Sequence, residues 1–151
     1  MRLSDFRVPT LALLLVASGA CASTPTDETP KGALTLFLNS MQRGAYDPEG
    51  LHAAYDLLES SARDALADRA RLSGALSNGR EFQPWEMLVR GRFQLRFSPE
   101  PGGISEQING DTAVVTIRGS RANEVATVPL KRENGRWRVA LDLNEARLQT
   151  D

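Results

Sequence analysis

Along residues 30–79 the apolar side chains recur every three or four positions, and beyond Pro84 they recur every second one. The first half therefore predicts helices and the second half strands. Thr29-Pro30 can cap and open a helix, Leu34, Phe37, Leu38 and Met41 then make one apolar face, and Gly44 supplies the stop. Asp47-Pro48 repeats that start, and Leu51, Ala54, Tyr55 and Leu58 form a second stripe. A third helix is expected from Ser61, with Asp64 completing a start like a capping box, through Leu66, Ala70 and Leu76 to Asn78-Gly79. Its stripe is thin, and Ser73-Gly74 predicts an interruption or fraying there.

The alternating half opens with Val89, Gly91, Phe93, Leu95 and Phe97 on one side and Arg90, Arg92, Gln94 and Arg96 on the other, a half-buried strand. Pro99 to Gly103 reads as a turn, Ile104 to Ile108 as a short strand, and Asn109-Gly110-Asp111 as a hairpin signal. Strands follow over Thr112 to Arg118 and about Val125 to Arg132. Asn134-Gly135 then turns the chain into Trp137 to Leu143. Pro129 has no N–H to donate, so its strand is expected at an edge or bulged. Helices first and an antiparallel meander afterwards give an α+β fold with N-terminal helices packed on a curved antiparallel sheet.

Ahead of these elements, Arg2 and Arg7 precede an apolar run, Leu11 to Val16, which gives way to Ala17-Ser18-Gly19-Ala20 and then Cys21, the one cysteine of the 151 residues. This is the layout of a signal peptide over residues 1–20. Gly19-Ala20-Cys21 resembles the lipobox of bacterial lipoproteins, which implies that the Cys21 thiol is acylated and heads the mature chain. Ser18 stands where that family usually has leucine, which leaves ordinary cleavage after Ala20 or Ala22 as the alternative. The apolar run falls short of the ~20 residues that span a bilayer. Residues 21–29 are rich in Ser, Thr and Pro and carry no large apolar side chain, so they read as a lipidated tether, with a single domain over 30–151.

Charge is nearly balanced, 18 basic against 19 acidic residues, which offers no bulk attraction to nucleic acid. One histidine and one cysteine cannot assemble a zinc cluster. Gly102-Gly103 is followed by no lysine and helix, so no phosphate-cradling loop is present, and Ser60 and Ser61 have no local activating histidine. No cofactor is expected.

The Phe37-to-Gly44 segment, the Tyr55-to-Arg63 stretch, Gly110-Asp111-Thr112-Ala113-Val114-Val115 and Arg132-Glu133-Asn134-Gly135-Arg136-Trp137-Arg138-Val139 together resemble the cone-shaped superfamily of nuclear transport factor 2 and the cystatin-like bacterial lipoproteins. The resemblance spans about residues 30–143 and implies a cone-shaped, cystatin-like roll. If the cone encloses a pocket, its lining should be mainly apolar, drawn from Phe37, Tyr55 and Trp85 on the helical side and Phe93 and Leu95 on the strand, with Tyr55, Trp85 and Phe93 the candidate ligand contacts. Enzymes of this superfamily carry acids, tyrosines or histidines in the cone mouth, where Tyr46, Tyr55 and Asp142 could stand here.

Residue by residue, the plainer roles prevail. His52 with Asp56 at i+4 could form a base and its orienting carboxylate, but His52 lies off the apolar stripe, where a solvated pair is expected. Trp137, two residues before Val139 on one strand face, is expected in the core, with stacking on a ligand as the alternative. The row Arg90, Arg92, Arg96, with Arg118 and Arg138 on other strands, could meet anionic headgroups or an acidic partner, or serve as solvated sheet surface. The expectation is a non-catalytic, lipid-anchored protein of the bacterial cell envelope, on the inner or outer membrane and facing the periplasm or the surface, that binds an envelope protein or a hydrophobic ligand. A small-molecule isomerase or hydrolase using the cone pocket is the alternative.

Overall fold

Helix α1 (Pro30–Arg43) begins as its sequence dictates: the Thr29 hydroxyl accepts the Gly32 N–H at 3.1 Å, and Pro30 takes the first helical position. α2 (Pro48–Asp56) starts the same way, with Asp47 accepting the Glu49 N–H at 3.0 Å. These helices, α3 (Ser60–Leu76), a single 3-10 turn (Pro84–Met87) and four strands make up the computed structural model, which describes residues 24–88, 95–141 and 143. The strands are β1 (Pro99–Asn109), β2 (Thr112–Gly119), β3 (Val125–Glu133) and β4 (Arg136–Val139), paired antiparallel in the order β1-β2-β3-β4. Three helices packed with an open four-stranded antiparallel sheet confirm the α+β class.

The core lies between helices and sheet. Leu34, Phe37 and Met41 of α1, Ala54 of α2, and Ala62 and Leu66 of α3 are buried against Ala113, Val115 and Ile117 of β2, Leu130 of β3, and Trp137 and Val139 of β4. Alternation decides which strand residues face the helices. Trp137 is 1% exposed, which makes it a core residue, and the Arg132 guanidinium covers its ring at 4.6 Å from the centroid. No polar or charged residue is buried among the described residues.

Several local expectations are corrected. Pro99–Gly103 is not a turn but the first half of β1, and the pairing with β2 slips between Pro99 and Ile104. Glycine makes the slip possible: a Cβ on Gly103 would stand 2.5 Å from the Arg118 carbonyl oxygen, so the strand stays in the sheet while its register shifts. Pro129 lies neither on an edge nor at a bulge. β3 runs between β2 and β4 in continuous register, and Ala140 N–H donates to the Pro129 carbonyl at 2.9 Å just beyond the end of β4. Because a strand residue points its N–H and C=O to the same neighbour, the N–H that Pro129 lacks would have faced the point where β4 stops.

α3 is unbroken through Ser73-Gly74 and ends at Leu76, before the positive-φ pair Asn78 and Gly79. Its start is not a local capping box either. The Ser60 N–H and hydroxyl both reach the Glu133 carboxylate of β3, at 3.0 and 2.8 Å. β4 stops at Val139, four residues short of the expected Leu143. The expected strand over Val89–Phe97 falls on residues 89–94 outside the described residues, and Leu95–Phe97 belong to no strand.

The segment before α1 is docked, which shortens the expected tether. Trp137 N–H donates to the Asp27 carbonyl at 2.8 Å, and the Asp27 carboxylate joins Arg136 and Arg138. A Cβ on Gly32 would collide with the Thr26 carbonyl, so glycine lets this strap lie flat on the first turn of α1. At the far end of that strap α1 is tied to the sheet by Glu106 of β1, which accepts the Lys31 N–H at 2.8 Å. The loop Leu57–Glu59 adds a parallel contact along β4: Val139 N–H donates to Leu57 O at 2.8 Å, and Glu59 N–H to Val139 O at 3.0 Å.

Candidate functional site

One flank of α1 stands beside its buried stripe and forms a groove of about 490 Å³. Helical spacing places Leu38 and Met41 along its floor and Thr35, Asn39 and Gln42 along its bank, and the turn after α1 adds Ala45 and Tyr46. Leu95, Phe97, Ser98, Pro99 and Ile104 supply the opposite wall, where the chain enters β1. The volume falls in the range of about 300–1,000 Å³ that holds small ligands. Among the described residues no lining side chain carries a formal charge at neutral pH. Thr35 Oγ1 is committed to the Lys31 carbonyl at 2.8 Å, whereas the Asn39 and Gln42 amides make no hydrogen bond among the described residues. Tyr46 is 89% exposed at the rim.

A second hollow, about 380 Å³, is lined by polar and charged residues, Asp56, Arg63, Glu133, Asn134, Arg136 and Arg138. Its charges are largely matched. Burial works to raise the Asp27 pKa, but hydrogen bonds from Arg138 and Arg136 and their positive charges together outweigh it, and the carboxyl titrates below its ordinary value. Burial likewise opposes ionisation of Glu133, yet the Ser60 N–H and hydroxyl and the Arg63 and Lys131 charges bring its pKa down. Arg63 is 3.8 Å from Glu133, and its buried Nε has no hydrogen-bond partner. These groups fasten α3 and the strap to the sheet.

Of the four described residues expected to line a pocket, Phe37, Tyr55, Trp85 and Leu95, only Leu95 lines the α1 groove. Phe37 is sealed in the core. Tyr55 is half-buried, with its hydroxyl donating to the Arg63 carbonyl at 3.4 Å; burial, opposed by Arg63 and reinforced by Asp64 and Asp56, raises its pKa. Trp85, in the 3-10 turn, meets His52 edge to face at 6.3 Å, so His52 lies against a ring rather than pairing with Asp56. Phe93, Asp142, Cys21, Arg90 and Arg92 lie outside the described residues. Arg96 and Arg118 are exposed, while Arg138 is held by Asp27 at 2.7 Å and is not available as part of a basic face.

The α1 bank was missed by sequence reasoning. Its signal was present as the polar row Thr35, Asn39 and Gln42 at helical spacing, but the opposite wall depends on where the chain passes between Leu95 and Ile104.

Among the described residues no three His, Cys, Asp or Glu side chains gather to hold a metal ion, and no helix is long and apolar enough to cross a membrane. Comparison of the chain with protein-family models, with curated proteins and with solved structures finds no match.

Proposed function

We propose that this protein is a lipid-anchored, non-catalytic binding module of the bacterial cell envelope, held to its membrane through Cys21 and offering the α1 groove to an apolar or amphipathic ligand. The observation that carries the reading is the groove itself: an apolar floor and wall beside a row of neutral hydrogen-bonding groups. Such a lining binds by burial and orients by a few polar contacts, and no carboxylate, histidine or lysine stands among its described residues for proton transfer. The anchor is supported by the placement of Cys21 at the end of an apolar run with small residues before it. The fold is read as the cone-shaped, cystatin-like roll, supported by helices that precede and cover one face of a meander.

Nile red, a neutral dye that brightens in apolar surroundings, tests the reading. Its fluorescence should rise on adding the detergent-free full chain carrying Cys21→Ala, and Leu38→Asp in the same chain should remove the rise while circular dichroism stays unchanged. No rise with the parent chain would overturn the binding assignment.

A further inference from the structure

We infer that the α1 groove selects an uncharged amphiphile, an alkyl chain bearing a hydroxyl-rich or amide-bearing head, of the kind that a neutral membrane lipid presents. The inference rests on the binding-module reading and adds the ligand's chemical class. Two features of the groove carry it. Leu38 and Met41 on the helix side and Leu95, Phe97 and Ile104 on the other give apolar surface on both sides, which suits a chain lying between them better than a ligand polar on every face. None of the described lining side chains carries a formal charge.

An ionised head drawn toward Leu38 and Met41 would shed part of its hydration and meet no counter-charge from the described lining, which costs it affinity. A head with hydroxyl or amide groups faces no such penalty. The Asn39 and Gln42 amides stand three residues apart on one flank of α1, each able both to donate and to accept, and neither has a hydrogen bond among the described residues. They are therefore placed to hold the head of a molecule whose chain lies along Met41 and Phe97. The second hollow has the opposite character, with three arginines and two carboxylates, so ionised ligands have no reason to favour the groove over it.

Three ten-carbon probes of matched chain length test the inference by displacing Nile red from the detergent-free full chain carrying Cys21→Ala, below their aggregation concentrations: monodecanoylglycerol, decanoate and decyltrimethylammonium. Monodecanoylglycerol should displace the dye at concentrations at least about tenfold lower than either ion, a ratio that one or two hydrogen bonds and an avoided desolvation supply. Gln42→Lys, which brings a cation to the bank, should reverse the order of monodecanoylglycerol and decanoate. Equal displacement by all three probes, displacement by none, or an unchanged order in Gln42→Lys would overturn the choice of a neutral ligand while Nile red binding left the binding module standing. Failure of the dye itself to bind would remove both.

Discussion

The Asp27 carboxylate and the Arg138 guanidinium meet at 2.7 Å, joining the segment that precedes the first helix to the last strand of the sheet. The same carboxylate takes Arg136, and the Asp27 carbonyl takes the Trp137 N–H at 2.8 Å. Three interactions at one residue make this a fixed strap.

Asp27 and Glu133 should together set the acid limb of stability. Both pKa values are lowered in the folded protein from ordinary values of 3.8 and 4.5. A lowered carboxylate contributes stability in full above its ordinary pKa and loses it as pH falls through the lower folded value. Melting temperature should therefore hold near neutrality and fall steeply below about pH 4, within that window. Asp27→Asn should lose about 1–2 kcal/mol at pH 7 and flatten the acid limb, since its side chain no longer titrates. An acid limb unchanged in the variant would assign the strap no part in it.

Trp137→Ala should cost roughly 3–5 kcal/mol in chemical denaturation, the range for emptying a buried aromatic site. The ring is buried beneath Arg132 and belongs to the same cluster as Leu58 and Leu130. Arg132→Ala should cost far less, because the aliphatic stem and guanidinium cover one face of the ring without filling the core. Equal losses in the two variants would contradict this division.

Glu133→Gln keeps the shape of the side chain and removes the charge that faces the first turn of α3. Ser60 then keeps an acceptor but the helix dipole loses its anion, so a loss of about 0.5–1 kcal/mol is expected, read as a lower melting temperature at pH 7. Glu133→Ala should lose more, because the Ser60 N–H would also lose its partner. Hydrogen exchange at residues 60–63 should rise in both variants, and unchanged exchange there would place the stabilisation elsewhere.

Cys21→Ala should move the protein from the membrane to the soluble fraction. A single chain gives only marginal attachment, so durable anchoring of the wild type requires more than one acyl chain, at about 0.8 kcal/mol per buried methylene. Mass spectrometry of the wild type checks this directly. An unmodified thiol in soluble material would remove the anchor.

What the sequence made legible was local. The caps at Thr29 and Asp47 fix where α1 and α2 begin, because their partners lie two or three residues away. The alternation of Ala113, Val115 and Ile117 fixes which face of β2 is buried. What was not legible joins distant positions. Glu106 reaches Lys31 and Glu133 reaches Ser60, and each carboxylate sits among polar neighbours that give no hint of a partner some seventy residues earlier. Asp27 lay in a stretch whose composition spoke for a loose spacer, and no pattern within residues 21–29 announces two arginines on β4. The groove suffered the same limit: α1 carries its bank visibly, but its wall is made by the irregular entry into β1, where Pro and Gly suggested a turn.

The docked strap also changes how far the domain could roam if Cys21 is acylated. Only six residue steps separate Cys21 from the pinned Asp27, a leash of roughly 20 Å at full extension. The β4 border would then patrol a shallow zone next to the headgroups, and α1, about 21 Å long at 1.5 Å per residue for its 14 residues, would carry the rim at Tyr46 a helix length away from the mooring. Release of the strap, its main-chain bond to Trp137 included, would lengthen the leash without touching the groove, enlarging the volume it sweeps and diluting its encounters with anything embedded in the same bilayer.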